Sequence, residues 1–119
     1  MTARCQLVNE TTGDTVAMAC GGDATPLFES YLKDPPDGTF FASLNYPTDC
    51  TITFSFQQCN GREEIRRFTP GTAEDTTIPV IVTVPNVKRI TAQCSGGTVS
   101  TGCQFRWQFQ YHYCRCCGG

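Results

Sequence analysis

The side chains with chemistry to offer are sulfurs. Nine cysteines occupy the 119 residues: Cys5, Cys20, Cys50, Cys59, Cys94, Cys103, Cys114, Cys116 and Cys117. The last three crowd the final six positions. Nine is odd, so full oxidation forces at least one bond to leave the chain. All nine are therefore candidates for disulfides or cross-links. Metal binding competes with that chemistry. His112, Cys114, Cys116 and Cys117 supply one nitrogen and three sulfurs within six residues, and zinc takes tetrahedral nitrogen and sulfur ligands. The run is C-x-C-C, however, and lacks the paired C-x2-C spacing of closed zinc sites. The expectation is no metal and no cofactor, with a small metal-binding protein built on this terminal cluster as the alternative.

Catalysis has little to work with. His112 is the single histidine, and on a strand it falls on the polar face beside Gln108 and Gln110. A serine or cysteine nucleophile would need it as a base. Cys114 and Cys117 stand at C-x-x-C spacing, but no helix start is visible there to lower a thiol pKa as a redox site needs, and no C-x-x-C-H exists to attach haem. The carboxylates Asp14, Asp34, Asp37, Asp49, Glu74 and Asp75 sit mostly in turns, where they bond nearby backbone. The glycine pairs Gly21-Gly22 and Gly96-Gly97 match no phosphate-binding motif. The chain is read as a non-enzyme.

Composition narrows the partners. Only 17% of residues are charged and the net charge is −2. A nucleic-acid binder needs a basic stripe to neutralise phosphates, whereas Arg66-Arg67 follow the acidic Glu63-Glu64 with only Ile65 between. No apolar run reaches the 18 residues of a membrane span. Met1 to Cys5 has no apolar segment of the kind a secretory signal carries. Stable disulfides belong to oxidising compartments, so synthesis inside a cell that later lyses is one way to reconcile the two. A trimmed signal and reduced or metal-bound thiols are the others. Asn9-Glu10-Thr11 fits a glycosylation acceptor, which would require a secretory route.

The elements that must position these sulfurs are strands. Cys103, Phe105, Trp107, Phe109, Tyr111 and Tyr113 alternate with Gln104, Arg106, Gln108, Gln110 and His112. That period predicts a half-buried strand with an aromatic inner face, a core spacing rather than a sugar platform. Cys50, Ile52, Phe54 and Phe56 alternate likewise, and Asn60-Gly61 signals a hairpin returning through Arg62 to Phe68. The charges of that return strand place it at an edge. Pro79 restricts Thr77–Val84 to an edge or a strand start. Val87 to Cys94 is the next strand, and the small residues from Ser95 to Gly102 form a loop. Earlier in the chain, Arg4–Asn9 and Thr15–Ala19 are expected as two short strands around a turn at Thr12-Gly13-Asp14. Pro26–Lys33 is expected as a strand or one helical turn, and Thr39–Asn45 as a strand. The sum is an all-β antiparallel jelly roll or β-sandwich of about eight short strands. Residues 1–119 form a single domain, with 1–8 and 114–119 as terminal connector segments.

This layout sorts the sulfurs. Cys50 and Cys59 bracket one strand and would stand ~30 Å apart when extended, while a disulfide needs α-carbons within about 7 Å. They are expected to seek separate partners. Cys94 and Cys103 bracket a loop, so their closure is expected. Cys5, Cys114, Cys116 and Cys117 sit near the termini, where a chain can reach a neighbour. A secreted β-sandwich binding module with internal disulfides only is the remaining alternative.

Several runs are similar to the subunits of bacterial endospore appendages. They are Phe68-Thr-Pro-Gly-Thr-Ala73, Val82-Thr-Val-Pro-Asn-Val-Lys-Arg-Ile90, Thr101-Gly-Cys-Gln-Phe105 and Tyr111-His-Tyr-Cys114. The resemblance covers Cys50 to Cys114, with a weaker echo of cysteine-rich spore coat and exosporium proteins in Val84-Pro-Asn-Val87 and the late cysteines. It implies small jelly-roll subunits joined by strand addition and disulfides into pilus-like fibres on the spore surface. It also implies synthesis in the mother cell without a signal peptide. The partners would be copies of itself and other spore-surface proteins. Carried across, Cys5 would be an N-terminal connector cysteine, with Cys94, Cys103 or Cys114 as acceptors. One early cysteine stands where the family pattern has an adjacent pair, and the Cys114-Arg-Cys-Cys117 tail is unusual. The bond leaving the molecule is therefore expected to start at a terminus, the C-terminal one first.

Overall fold

The computed structural model of the chain describes residues 4–32, 34–72, 77–97 and 102–117, with 4–6 and 114–117 described by backbone only. Eight strands make up the fold: β1 (Arg4–Met18), β2 (Thr25–Glu29), β3 (Asp37–Leu44), β4 (Thr51–Gln58), β5 (Glu63–Phe68), β6 (Ile78–Val84), β7 (Val87–Ser95) and β8 (Cys103–Cys117). They form two antiparallel sheets, ordered β1-β8-β3-β6 and β2-β7-β4-β5. The pairs β4–β5, β3–β6, β2–β7 and β1–β8 nest inside one another. That is one long hairpin rolled into two sheets, the jelly-roll arrangement.

The rolling follows from period-two burial. On β4, Ile52, Phe54 and Phe56 point inward and are buried, and on β8, Cys103, Phe105, Trp107 and Phe109 do the same. Phe40 of β3 meets both sheets. Its ring lies 5.0 Å from Phe54, 5.2 Å from Phe56 and 6.0 Å from Trp107. Each fully buried side chain of this kind contributes about 1.5–3 kcal/mol through removal of apolar surface from water. Trp107 is buried, so it belongs to the core rather than to a ligand platform.

The expected turn at Thr12-Gly13-Asp14 is absent, and β1 runs straight through it as one 15-residue strand. Gly13 pairs with Gln108. A Cβ there would lie 2.5 Å from the Trp107 carbonyl oxygen, so the glycine serves a close approach of two strands. The Pro26 region is a short strand, β2, with no helical turn. The edge assignments hold: β5 and β6 each close one side of a sheet. Glu74, Asp75 and much of the small-residue loop before Gly102 lie outside the described residues.

Candidate cross-linking site

The strands carry the sulfurs to opposite ends of an elongated body measuring 60 × 26 × 18 Å. At one end β1 and β7 finish while β4 and β8 begin. Cys20 bonds Cys50 there, with α-carbons 6.3 Å apart, and Cys94 bonds Cys103, with α-carbons 6.0 Å apart. All four residues are buried. The loop closure expected for Cys94 and Cys103 is present. The acceptor role that the resemblance assigned to them is not, because they are closed on each other inside the core. Cys50 and Cys59 do have separate fates, and Cys20 is the partner that sequence spacing could not supply.

Backbone and side-chain hydrogen bonds hold this end together independently of sulfur. Gly21 N–H donates to the Cys94 carbonyl at 2.8 Å. Thr48, fully buried, donates its hydroxyl to the Gly102 carbonyl at 2.6 Å and accepts from the Cys50 N–H at 3.0 Å. A buried hydroxyl without such partners would be costly, and here it is used twice.

The other end is built differently. β3 covers β8 only as far as His112, which pairs with Asp37. Beyond that point β8 continues with β1 as its strand partner, through Val8↔Tyr113, Leu7↔Cys114, Gln6↔Arg115, Cys5↔Cys116 and Arg4↔Cys117. Five residues of ribbon extend about 17 Å at the rise of a strand. The ribbon places Cys5 opposite Cys116, and so brings both termini to one place. The two connector segments expected at 1–8 and 114–119 thus meet, over the described residues, as one two-stranded feature.

Cys59 lies at this same end. It is exposed, and it is the free cysteine among the described side chains. Its N–H donates to the Asn86 carbonyl at 3.1 Å. The Asn86 N–H in turn donates to Asp37 Oδ1 at 2.8 Å. This short chain of bonds ties the Cys59 hairpin to the point where the ribbon leaves the sheet. Sequence reading counted Cys59 among the nine candidates but favoured the termini for the bond that leaves the molecule, although the hairpin at Asn60-Gly61 already implied an exposed position.

The root of the ribbon is stiffened by aromatics and one carboxylate. Phe109, Tyr111 and Tyr113 stack in succession, with centroids 5.3 and 6.3 Å apart. Phe28 of β2 packs 4.9 Å from Phe109 and 5.0 Å from Tyr111. The Tyr111 hydroxyl donates to Glu10 at 2.7 Å and the Tyr113 hydroxyl donates to the same carboxylate at 3.3 Å. Burial first, then the hydrogen bond and charge of Glu10, push the Tyr111 pKa up to about 12. His112 is on the polar face as expected, with Nε2 3.9 Å from Asp37 Oδ2. Whether it joins Cys114, Cys116 and Cys117 around an ion lies outside the described side chains.

The fold has a solved counterpart. It resembles a Bacillus endospore appendage protein. The TM-score is 0.71 over 92% of this chain and 89% of that one, at 12% sequence identity, so the likeness is one of fold. Those appendages are described as a family of disulfide-linked pili. A segment of the VP2 protein of infectious bursal disease virus is more distant, with a TM-score of 0.45, 14% identity and coverage of 92% of this chain but 31% of that one. No family model and no curated protein sequence matches the chain.

Proposed function

We propose that this chain is a structural subunit that polymerises into a disulfide-cross-linked, pilus-like fibre or coat on the surface of bacterial endospores, and that it has no catalytic role. The observation that carries the reading is the segregation of sulfur. Four cysteines are spent on two buried internal bonds. An exposed free thiol shares the opposite end with the ribbon that bears the other four. Five sulfurs cannot all pair within one chain, so one bond is left for a neighbour. The fold likeness to a protein of disulfide-linked pili supports the same reading.

Strand addition supplies the non-covalent half of the assembly. Four edges are open: β1, β6, β2 and β5. β5 carries Glu63, Glu64, Arg66 and Arg67, the charges that keep an edge from pairing. β2 is only five residues long and includes Pro26. β6 also carries a proline, Pro79, near its start, but at seven residues it is longer than β2, has no charge and leaves Ile81 two-thirds exposed. An uncharged apolar edge of this kind invites another strand. β6 is the edge we assign to subunit contact, with partners that are copies of this chain and, at the spore surface, other cysteine-rich proteins.

The test is electrophoresis of oxidised protein with and without reductant. Wild-type material is expected to give a ladder that collapses on reduction. Ile81→Lys should shorten the ladder by weakening the contact that aligns the thiols, and Cys59→Ser should change its pattern. Clean monomer in both lanes for the wild type would defeat the proposal.

A further inference from the structure

The buried sulfur end has a second use. Cys20, Cys50 and Cys94 place their Sγ atoms within 4.8 Å of one another, and Cys103 Sγ is bonded to Cys94 Sγ. Four cysteines from four separate segments therefore converge on one small volume between the sheets. We propose that, before oxidation, these four thiols form a tetrathiolate site for a divalent ion of the zinc class, and that oxidation to the two disulfides expels the ion.

Zinc–sulfur bonds of about 2.3 Å place tetrahedral sulfurs about 3.8 Å apart. Cys20, Cys50 and Cys94 already lie within 4.8 Å of one another, and reduction of the Cys94–Cys103 bond frees Cys103, which starts beside Cys94, to turn in as the fourth ligand. The disulfides are not the sole ties at this end: the Gly21–Cys94, Cys50–Thr48 and Thr48–Gly102 hydrogen bonds are made by backbone and hydroxyl atoms and use no sulfur. Gly97 contributes twice. Its N–H points at Cys20 Sγ at 3.3 Å, the kind of donor that stabilises a thiolate. A Cβ on Gly97 would lie 2.6 Å from the Cys50 nitrogen and from Asp49 Oδ1, so glycine is what lets the backbone at 97 come this close to Cys50. Burial of all four cysteines shields the site from competing water. Asp49 Oδ1 lies 3.8 Å from Cys50 Sγ. This set is distinct from the His112 and C-terminal cluster considered from the sequence.

The chemistry balances. Binding of the dication releases four thiol protons. Oxidation breaks four metal–sulfur bonds, forms two sulfur–sulfur bonds, removes four electrons and frees the dication. Two equivalents of an azodicarboxamide oxidant accept those electrons, with four protons from solvent, and become the hydrazine form. The ion would hold the two sheets in register in a reducing compartment, and the disulfides would take over after exposure to oxidant.

The experiment uses the full chain, reduced anaerobically with a phosphine, mixed with zinc, freed of excess by gel filtration and assayed for metal. Cobalt(II) is added in parallel, and its thiolate charge-transfer bands report sulfur coordination. About one equivalent of zinc per chain is expected. It should fall at least tenfold in Cys20→Ser and in Cys94→Ser, survive in Cys59→Ser and in the Cys114→Ser/Cys116→Ser/Cys117→Ser variant, and be released by the oxidant. Three results overturn the proposal: a reduced chain that holds less than a tenth of an equivalent, folded or not; metal that follows the tail cysteines; or metal that stays after both disulfides form. None of these results depends on whether the chain makes fibres.

Discussion

The two buried disulfides should not be equal. Cys20–Cys50 closes a loop with a sequence separation of 30, and Cys94–Cys103 closes one of 9. A cross-link stabilises mainly by removing loop-closure entropy from the unfolded chain, which gives about 3.6 kcal/mol for the longer loop and about 2.6 kcal/mol for the shorter. The paired substitutions Cys20→Ala/Cys50→Ala and Cys94→Ala/Cys103→Ala remove similarly buried sulfur, so the packing loss largely cancels between them. The difference of about 1 kcal/mol then reports chain entropy. At an unfolding entropy of about 2.1 cal/mol/K per residue, the 119-residue chain has about 250 cal/mol/K in total. The expected drops in Tm are about 14 °C and about 10 °C. Circular dichroism melts of the monomeric fraction, at one concentration so that association does not shift Tm, measure both. A larger loss from the Cys94/Cys103 pair, or losses under about 1 kcal/mol in both variants, would refute the reasoning that these bonds act through the unfolded chain.

Three further expectations follow from the fold. Gly13→Val should destabilise by about 1–3 kcal/mol in urea denaturation, because its Cβ would meet the Trp107 carbonyl; a neutral effect would mean that β1 does not run straight past β8. Tyr111 should ionise near pH 12 rather than 10 in a pH-jump ultraviolet titration, and Glu10→Gln should bring it down. Since its folded pKa is raised, its contribution to stability is complete below pH 10 and is lost as pH rises from 10 to 12. Truncation after Tyr113 should leave Tm within a few degrees of wild type, since the buried core residues from Cys20 to Phe109 all remain, while the heat and denaturant resistance of any assembly falls; loss of folding would show that the tail cysteines staple the domain itself.

Much of the fold was legible because burial on a strand alternates residue by residue. Cys103 to Tyr113 shows that alternation in types alone, and so do Cys50 to Phe56. The Cys94–Cys103 bond was legible because only the eight small residues from Ser95 to Gly102 separate the two cysteines. Cys20–Cys50 was not, because only the rolling of the two sheets brings the end of β1 to the start of β4. β1 itself was misread as two strands. Its outer edge is unpaired and its residues are mostly polar and exposed, so no apolar period marks it. Its Gly13 carries the same letter whether a chain turns or passes close to another. The terminal cysteines drew notice by their crowding, whereas Cys59 stood level with the other candidates until its hairpin was found beside the root of the ribbon.

Negative-stain microscopy of the oxidised full-length chain, before and after reduction in denaturant, tests the central claim most directly. The account predicts ordered fibres that survive denaturant and come apart only when reductant is added. Monomeric particles throughout, with the Cys59 thiol still open to alkylation after prolonged oxidation, would contradict it.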